Sequence, residues 1–262
     1  MITAVFDRLR PVAPPAVWFS FVALRSAAGK GPLFTRPSAK RALVLAPHPD
    51  DETIGCGGCV ALLAEDGAEV RVLASSAGEA STARPSRSTR TTAQERTSAL
   101  YAACSTLGAT VEGILPLPDG DLTNHEEAIT GPIDAVLARF RPDIVFVPWP
   151  LDDHPDHVAV CRALAACNAL QASTAIWCYE VWSALTPNRL VDISPWWGRK
   201  YDALQAYSRS AGSSDLTAHL ALNRWRSIVG LGGVGQVEAF LVLSTDEFRL
   251  LVSGTDDRIA GL

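Results

Sequence analysis

The sequence predicts an α/β fold: a Rossmann-like, three-layer arrangement with a mostly parallel sheet and a site at the carboxyl ends of the strands. Three observations carry this. Short apolar runs alternate along the chain with longer stretches of helical spacing, the pattern of a parallel sheet built from strand–helix units. One run, Asp143–Val147 (DIVFV), is apolar enough to be buried on both faces, as a strand between two helical layers must be. Two of the runs end in clusters of His and Asp, at the edge where an open α/β sheet places its chemistry.

Residues 1–40 read as an extension punctuated by prolines and basic residues. Within it, 16–28 suits an amphipathic helix, with Trp18, Phe19, Phe21, Val22 and Leu24 for its apolar side. A helix packed on the domain is the plainer reading; peripheral membrane contact is the less favoured alternative, because Trp and Phe suit an interface. The first strand is 42–46, stopped by Pro47, and the first helix runs over about 54–66. Its Gly55, Gly57 and Gly58 mark a close approach to a neighbour. A second strand follows at 69–75. The stretch 78–92 (GEASTARPSRSTRTT) is too polar to pack and reads as a solvated loop on the same rim. Its Arg84, Arg87 and Arg90 are available to an anionic part of a substrate.

A helix over 92–107 stops at Gly108, and a third strand at 111–115 leads into the turn Pro118-Asp119-Gly120-Asp121-Leu122. The next helix ends near Phe140, before Pro142. Its start is open, since Gly131-Pro132 suits a first turn better than an interior. The fourth strand, 143–147, runs through Pro148–Asp153 into His154-Pro155-Asp156-His157, and a helix follows over 158–170. Strands are expected at 175–181 and 189–193, and helix over 197–230, where Lys200, Tyr201, Leu204 and Tyr207 fall at helical spacing. Residues 236–243 suit a last strand or a segment closing the site. With no repeat and no long linker, the chain reads as a single domain over 1–262, with 183–262 shaping the substrate side.

Composition narrows the function. At 262 residues, 48% hydrophobic and 19% charged, the chain is long enough to bury a sizeable core. A net charge of −5 gives no general nucleic-acid footprint. No apolar run reaches the roughly 18 residues of a membrane span, so no transmembrane segment is expected and the location is read as cytoplasmic. The six cysteines then read as free thiols. Cys56-Gly-Gly-Cys59 has the spacing of a redox or zinc pair, but without thioredoxin-like context or a second such pair it reads as small residues on a packed helix.

The chemistry lies in His48, Asp50, Asp51 and Glu52 at the first strand end and His154, Asp156 and His157 at the fourth. Strand ends of a parallel sheet lie side by side, so the clusters can meet. Imidazole plus carboxylate suits zinc, and three protein ligands with an open position make a catalytic site. Not all seven can be ligands. Asp50 and Asp51 leave the turn in different directions, so one can bind a cation while the other faces the water as base. His154 and His157 can point into one cavity, one toward the metal and one toward the substrate.

PHPDDE at 47–52 together with HPDH at 154–157 resembles the LmbE/PIG-L family of metal-dependent de-N-acetylases, hydrolases of linear amide bonds. The similarity extends from about Arg41 through the HPDH helix and takes in Arg96, the LG at 107–108 and the PDGDL turn. The resemblance implies that His48, Asp51 and His157 hold Zn2+ (with Fe2+ an alternative at such a site), that Asp50 is the general base, and that a protonated His154 stabilises the oxyanion. It implies that Asp156 tunes a histidine from behind and that Arg96 and Asp119 lie near the sugar. Glu52 reads as a helix cap or support, with substrate contact the alternative. The implied substrate is a small aminosugar compound containing N-acetylglucosamine: a glycoconjugate, glycolipid, thiol precursor or antibiotic. The alternatives are an amidase acting on another N-acyl or thiol-conjugate substrate, or a glycan-binding relative without turnover. Asp152 stands where some relatives carry a tyrosine; with Asp153 it makes an acidic rim, read as favouring a product amine or solvating the loop. Trp177, Tyr179, Glu180 and Trp182 lie near the rim, where aromatic rings either stack on sugars or pack the core. Oligomeric state is not legible.

Overall fold

The computed structural model describes residues 32–80, 89–209 and 213–259. The helix expected at 16–28, and Arg84 and Arg87, lie outside them. Among the described residues, eight strands form one sheet: β1 (Leu33–Phe34), β2 (Arg41–Ala46), β3 (Glu69–Ser76), β4 (Thr110–Leu117), β5 (Ile144–Pro148), β6 (Ala175–Tyr179), β7 (Arg189–Asp192) and β8 (Val237–Leu243). Their order is β1-β7-β8-β6-β5-β2-β3-β4. Every pairing is parallel except those of β8, which runs against β6 and β7. The helices are α1 (Asp51–Glu65), α2 (Thr89–Leu107), α3 (Glu126–Phe140), α4 (Pro155–Ala166), α5 (Trp197–Gln205), α6 (Ser213–Arg226), a short α7 (Ile228–Leu231) and α8 (Thr245–Ile259). Residues of α1, α2 and α5 share one apolar core with one face of the sheet, and residues of α3, α4 and α8 share another with the opposite face. Among the described residues no helix is long and apolar enough to cross a membrane.

The elements differ from the expected ones in instructive ways. Helix α2 starts at Thr89, inside the stretch read as loop. Helix α3 starts at Glu126 and carries Pro132 in its interior; the carbonyl that Pro132 leaves without a donor belongs to the exposed Ala128. The 197–230 stretch is interrupted, with a 3₁₀ turn at Ala206–Arg209 between α5 and α6. The segment ending in 243 is an interior strand. Its run VEAFLVL is almost wholly buried, and an apolar run does not encode which way a strand points.

Helix α1 is buried along its first thirteen residues, Asp51 to Leu63. Small residues make this burial feasible: a Cβ on Gly55 would lie 2.1 Å from the Tyr179 ring, and one on Gly58 would lie 2.6 Å from Ile193. The helix breaks at Cys56 (φ −142°, ψ 17°). Two buried charges fill the break. The Glu238 carboxylate accepts hydrogen bonds from Gly58 N (2.7 Å) and Cys59 N (2.8 Å). Lys200 Nζ donates to Ile54 O and to Glu238 Oε1, both at 2.8 Å. Cys56 and Cys59 are buried free thiols whose pKa values burial pushes well up. They belong to no metal-type cluster among the described residues.

Candidate active site

Strands β2 and β5 are parallel neighbours, so the turns after them open on the same edge of the sheet. There His48 Nδ1 lies 3.2 Å from Asp51 Oδ2, and His157 Nε2 lies 3.3 Å from the same oxygen. Local sequence sets both turns. Asp51 starts α1 and also accepts a hydrogen bond from His48 N at 2.9 Å. His154 caps α4, Pro155 takes the first helical position, and His157 falls in the first turn, an order that suits a helix start. The donor atoms of His48, Asp51 and His157 lie within 4.8 Å of one another, as do those of His48, His154 and Asp156.

Hydrogen bonding distinguishes the two groups. Asp156 is already engaged: it accepts from Gly120 N (2.8 Å) and Leu122 N (3.0 Å) and lies 3.0 Å from His48 Nε2. Asp119 Oδ1 also lies 3.0 Å from His48 Nε2, while its Oδ2 accepts from Ala80 N at 2.8 Å. Behind the other ring, Asp152 Oδ1 lies 3.3 Å from His157 Nδ1. Carboxylates therefore back the outer nitrogen of each ring, while the inner nitrogens face Asp51. This is the arrangement that orients histidine ligands toward a cation. Both nitrogens of the fully buried His157 lack a well-formed hydrogen bond, a deficit that asks for a physical reason. A cation among His48, Asp51 and His157 supplies one for Nε2, and two imidazoles with a carboxylate suit zinc or iron(II). The residues fit a divalent metal.

The electrostatics follow from this crowding. Burial opposes charge on His48 and His157, yet the carboxylates around them prevail: His48 is raised well above its ordinary value and His157 to about 9. Asp51 is held well below the carboxylate range despite its burial, chiefly by His157.

Asp50 has a different environment. Its backbone sits at φ 122°, a region L residues avoid. Three contacts hold it there. Asp50 N donates to Glu52 Oε2 at 3.0 Å, and Arg96 Nη2 donates to Asp50 Oδ1 at 3.0 Å and to Pro49 O at 2.5 Å. Glu52 is fixed in turn by Tyr207, whose hydroxyl donates to Oε1 at 2.7 Å, and by the Thr53 hydroxyl. Burial raises Asp50 to about 7 against the opposing charge of Arg96. Gly78, at φ 68°, lets Arg96 pass, since a Cβ there would lie 2.2 Å from Arg96 Nε. Glu52 is completely buried; its carboxylate reaches back to the amide preceding α1, in the manner of a capping box.

His154 is half-buried at the mouth, its ring stacked 5.0 Å from that of His157. Its Nδ1 accepts a hydrogen bond from Asp156 N at 3.2 Å, so the neutral ring carries its proton on Nε2. Burial lowers its pKa, and the neighbouring rings of His48 and His157 act in the same direction. Arg96 and Asp119 direct their polar ends to Asp50, Pro49 and His48. Asp152 departs most from expectation. It is buried and accepts from His154 N (3.0 Å), Trp182 N (3.1 Å) and Ser183 N (3.3 Å), so it neither solvates a loop nor sits on the surface for an amine. Its position two residues before His154 was visible in the sequence; its burial was not. Tyr207 was visible only as a residue at helical spacing.

Comparisons with known proteins agree with this geometry. A family described as PIG-L, GlcNAc-PI de-N-acetylase, matches residues 43–168. Diacetylchitobiose deacetylase of Thermococcus kodakarensis is 32% identical over 121 residues, covering 45% of each chain. A 1D-myo-inositol 2-acetamido-2-deoxy-alpha-D-glucopyranoside deacetylase of Rhodococcus erythropolis is 30% identical over 56% of this chain and 59% of its own. The chain thus spans about half the length of the curated relatives it matches. Among solved structures, the conserved protein TT1542 of Thermus thermophilus is 30% identical, with a TM-score of 0.62 over 76% of this chain and 93% of that one. With the motif residues assembled at one sheet edge, these matches place the chain in the PIG-L family.

Proposed function

We propose that the chain is a zinc-dependent hydrolase that removes the acetyl group from an N-acetylglucosamine-containing substrate. The observation that carries this is the convergence of His48 Nδ1 and His157 Nε2 on Asp51 Oδ2, with each ring backed by carboxylates. The deacetylase names of the two curated relatives support the reaction and the aminosugar class. His48, Asp51 and His157 would hold the metal; iron(II) fits the same donors. When bound, the cation supplies Lewis acidity toward the acetamide carbonyl and makes water easier to deprotonate.

The chain's own groups do the rest. Asp50, with its pKa raised to about 7, takes a proton from the attacking water, the task for which a base near the working pH is suited. The water oxygen bonds to the carbonyl carbon and charge moves to the carbonyl oxygen. His154 donates its Nε2–H to that oxygen, the kind of electrostatic contribution that weighs heavily in acyl transfer. Asp50 returns the proton to the amide nitrogen, the C–N bond breaks, and acetate and amine leave. Arg96 holds the Asp50 carboxylate in place, and Asp119 and Asp156 hold His48.

The test is acetate release from free, inositol-linked, lipid-linked and antibiotic-linked N-acetylglucosaminides by metal-free and zinc-loaded protein. Zinc-dependent release from one class supports the reading and names the substrate. No release from any class by stoichiometrically loaded protein overturns it.

A further inference from the structure

Beside the site stands an aromatic corner that the chemistry above leaves unused. Trp182 is 59% exposed, an unusual setting for the residue best suited to bury surface. Its ring lies 6.1 Å from that of His154, tilted by 36°. His219 of α6 meets it edge-on at 6.4 Å and 86°. His48, His157, His154 and Trp182 thus form a succession of rings from the buried centre to the surface. The Trp182 backbone is also tied to the centre, because Asp152 accepts from Trp182 N while lying against His157 Nδ1. An exposed ring on a slack loop would offer a poor platform; the backbone that carries this one is held by the carboxylate that backs a candidate ligand.

We propose that Trp182, with His219 as its side wall, is a binding subsite for a second ring of the substrate, joined to the reacting aminosugar. This rests on the deacetylase reading and deepens it: the substrate is a glycoside whose neighbouring unit presents a flat apolar face to Trp182. The face of a second pyranose and that of an aromatic aglycone share this chemistry.

The experiment measures equilibrium binding of three amines to zinc-loaded protein: methyl glucosaminide, fully deacetylated chitobiose and phenyl glucosaminide. None carries an acetamide, so binding is read without turnover. The two-ring amines are expected to bind about tenfold tighter than methyl glucosaminide, the increment a stacked ring supplies. Trp182→Ala should erase that difference and leave methyl glucosaminide unchanged, while Trp182→Tyr should keep most of it. Preference for chitobiose over phenyl glucosaminide assigns the face to a sugar; the reverse assigns it to an aromatic aglycone. Because Trp182 is exposed, its loss opens no core cavity, and unchanged zinc content shows that the site survives. Equal affinity of wild type for all three amines, absence of binding, or a two-ring preference that persists in Trp182→Ala overturns the subsite. A surviving preference for two rings in a protein that releases no acetate overturns the reaction and leaves the subsite standing.

Discussion

Asp50 concentrates the tension between folding and chemistry in one residue. A non-glycine residue at φ 122° stores about 1–3 kcal/mol of strain, held by Glu52 and Arg96 through the contacts at its amide and carboxylate. Asp50→Gly and Asp50→Ala are both expected to lower kcat by about 10²–10⁴-fold and to keep stoichiometric zinc. The glycine variant should be the more stable by about 1–3 kcal/mol in urea unfolding, since only glycine accepts this backbone without cost. Equal stability of the pair, or full activity in either, would remove the assignment. Asp152 stands one step behind the candidate ligands. Asp152→Asn should weaken zinc binding about 10–100-fold in a chelator competition, whereas Asp153→Asn, on the exposed neighbour, should leave it alone. The His and Asp clusters were legible because a ligand set needs particular atoms at particular strand ends. The part played by Asp152 was not, because an acid in a turn reads as solvated until its burial is seen.

Among the elements, α1 shows why motif and support differ in legibility. Its glycines announced a close approach, but only the fold identifies the neighbours as Tyr179 and Ile193, more than a hundred residues away. The break at Cys56 left no trace in the sequence, because it depends on Lys200 from α5 and Glu238 from β8 meeting inside it. Both are essentially unexposed. Losing either leaves an uncompensated buried charge, so Glu238→Leu or Lys200→Met should each cost about 3–5 kcal/mol. Combining them removes both charges but leaves Gly58 N, Cys59 N and Ile54 O without these partners, and such buried groups cost about 1–3 kcal/mol each. The double variant should therefore recover only part of the loss. Denaturant midpoints of the four proteins decide it: full recovery would show that charge alone, and not the backbone groups of the break, sets the stability of α1.

For the molecule as a whole, the stretch that carries the family resemblance shares its sheet and its core with elements that lie beyond it. Residues 43–168 contain the whole candidate metal centre, and the alternation of strands and helices that betrayed the fold is clearest there. The sheet order nevertheless continues past β5 into β6, β8 and β7, and α1 is packed and held by Tyr179, Ile193, Lys200, Tyr207 and Glu238. Cutting the chain after 168 would expose the edge of β5, strip the apolar cover from α1 and leave Glu52 without the Tyr207 hydroxyl. A fragment of residues 32–168 is accordingly expected to give no cooperative thermal transition and to bind zinc far more weakly than the intact chain. The intact chain should unfold in a single transition with calorimetric and van't Hoff enthalpies in agreement. Two resolved transitions in the intact chain, or a cooperative fragment with native zinc affinity, would show instead that the metal centre and the C-terminal strands fold separately. For the site, the 32–168 fragment is expected to lose the support that the Tyr207 hydroxyl gives the Asp50 turn through Glu52, while keeping the contacts from Arg96.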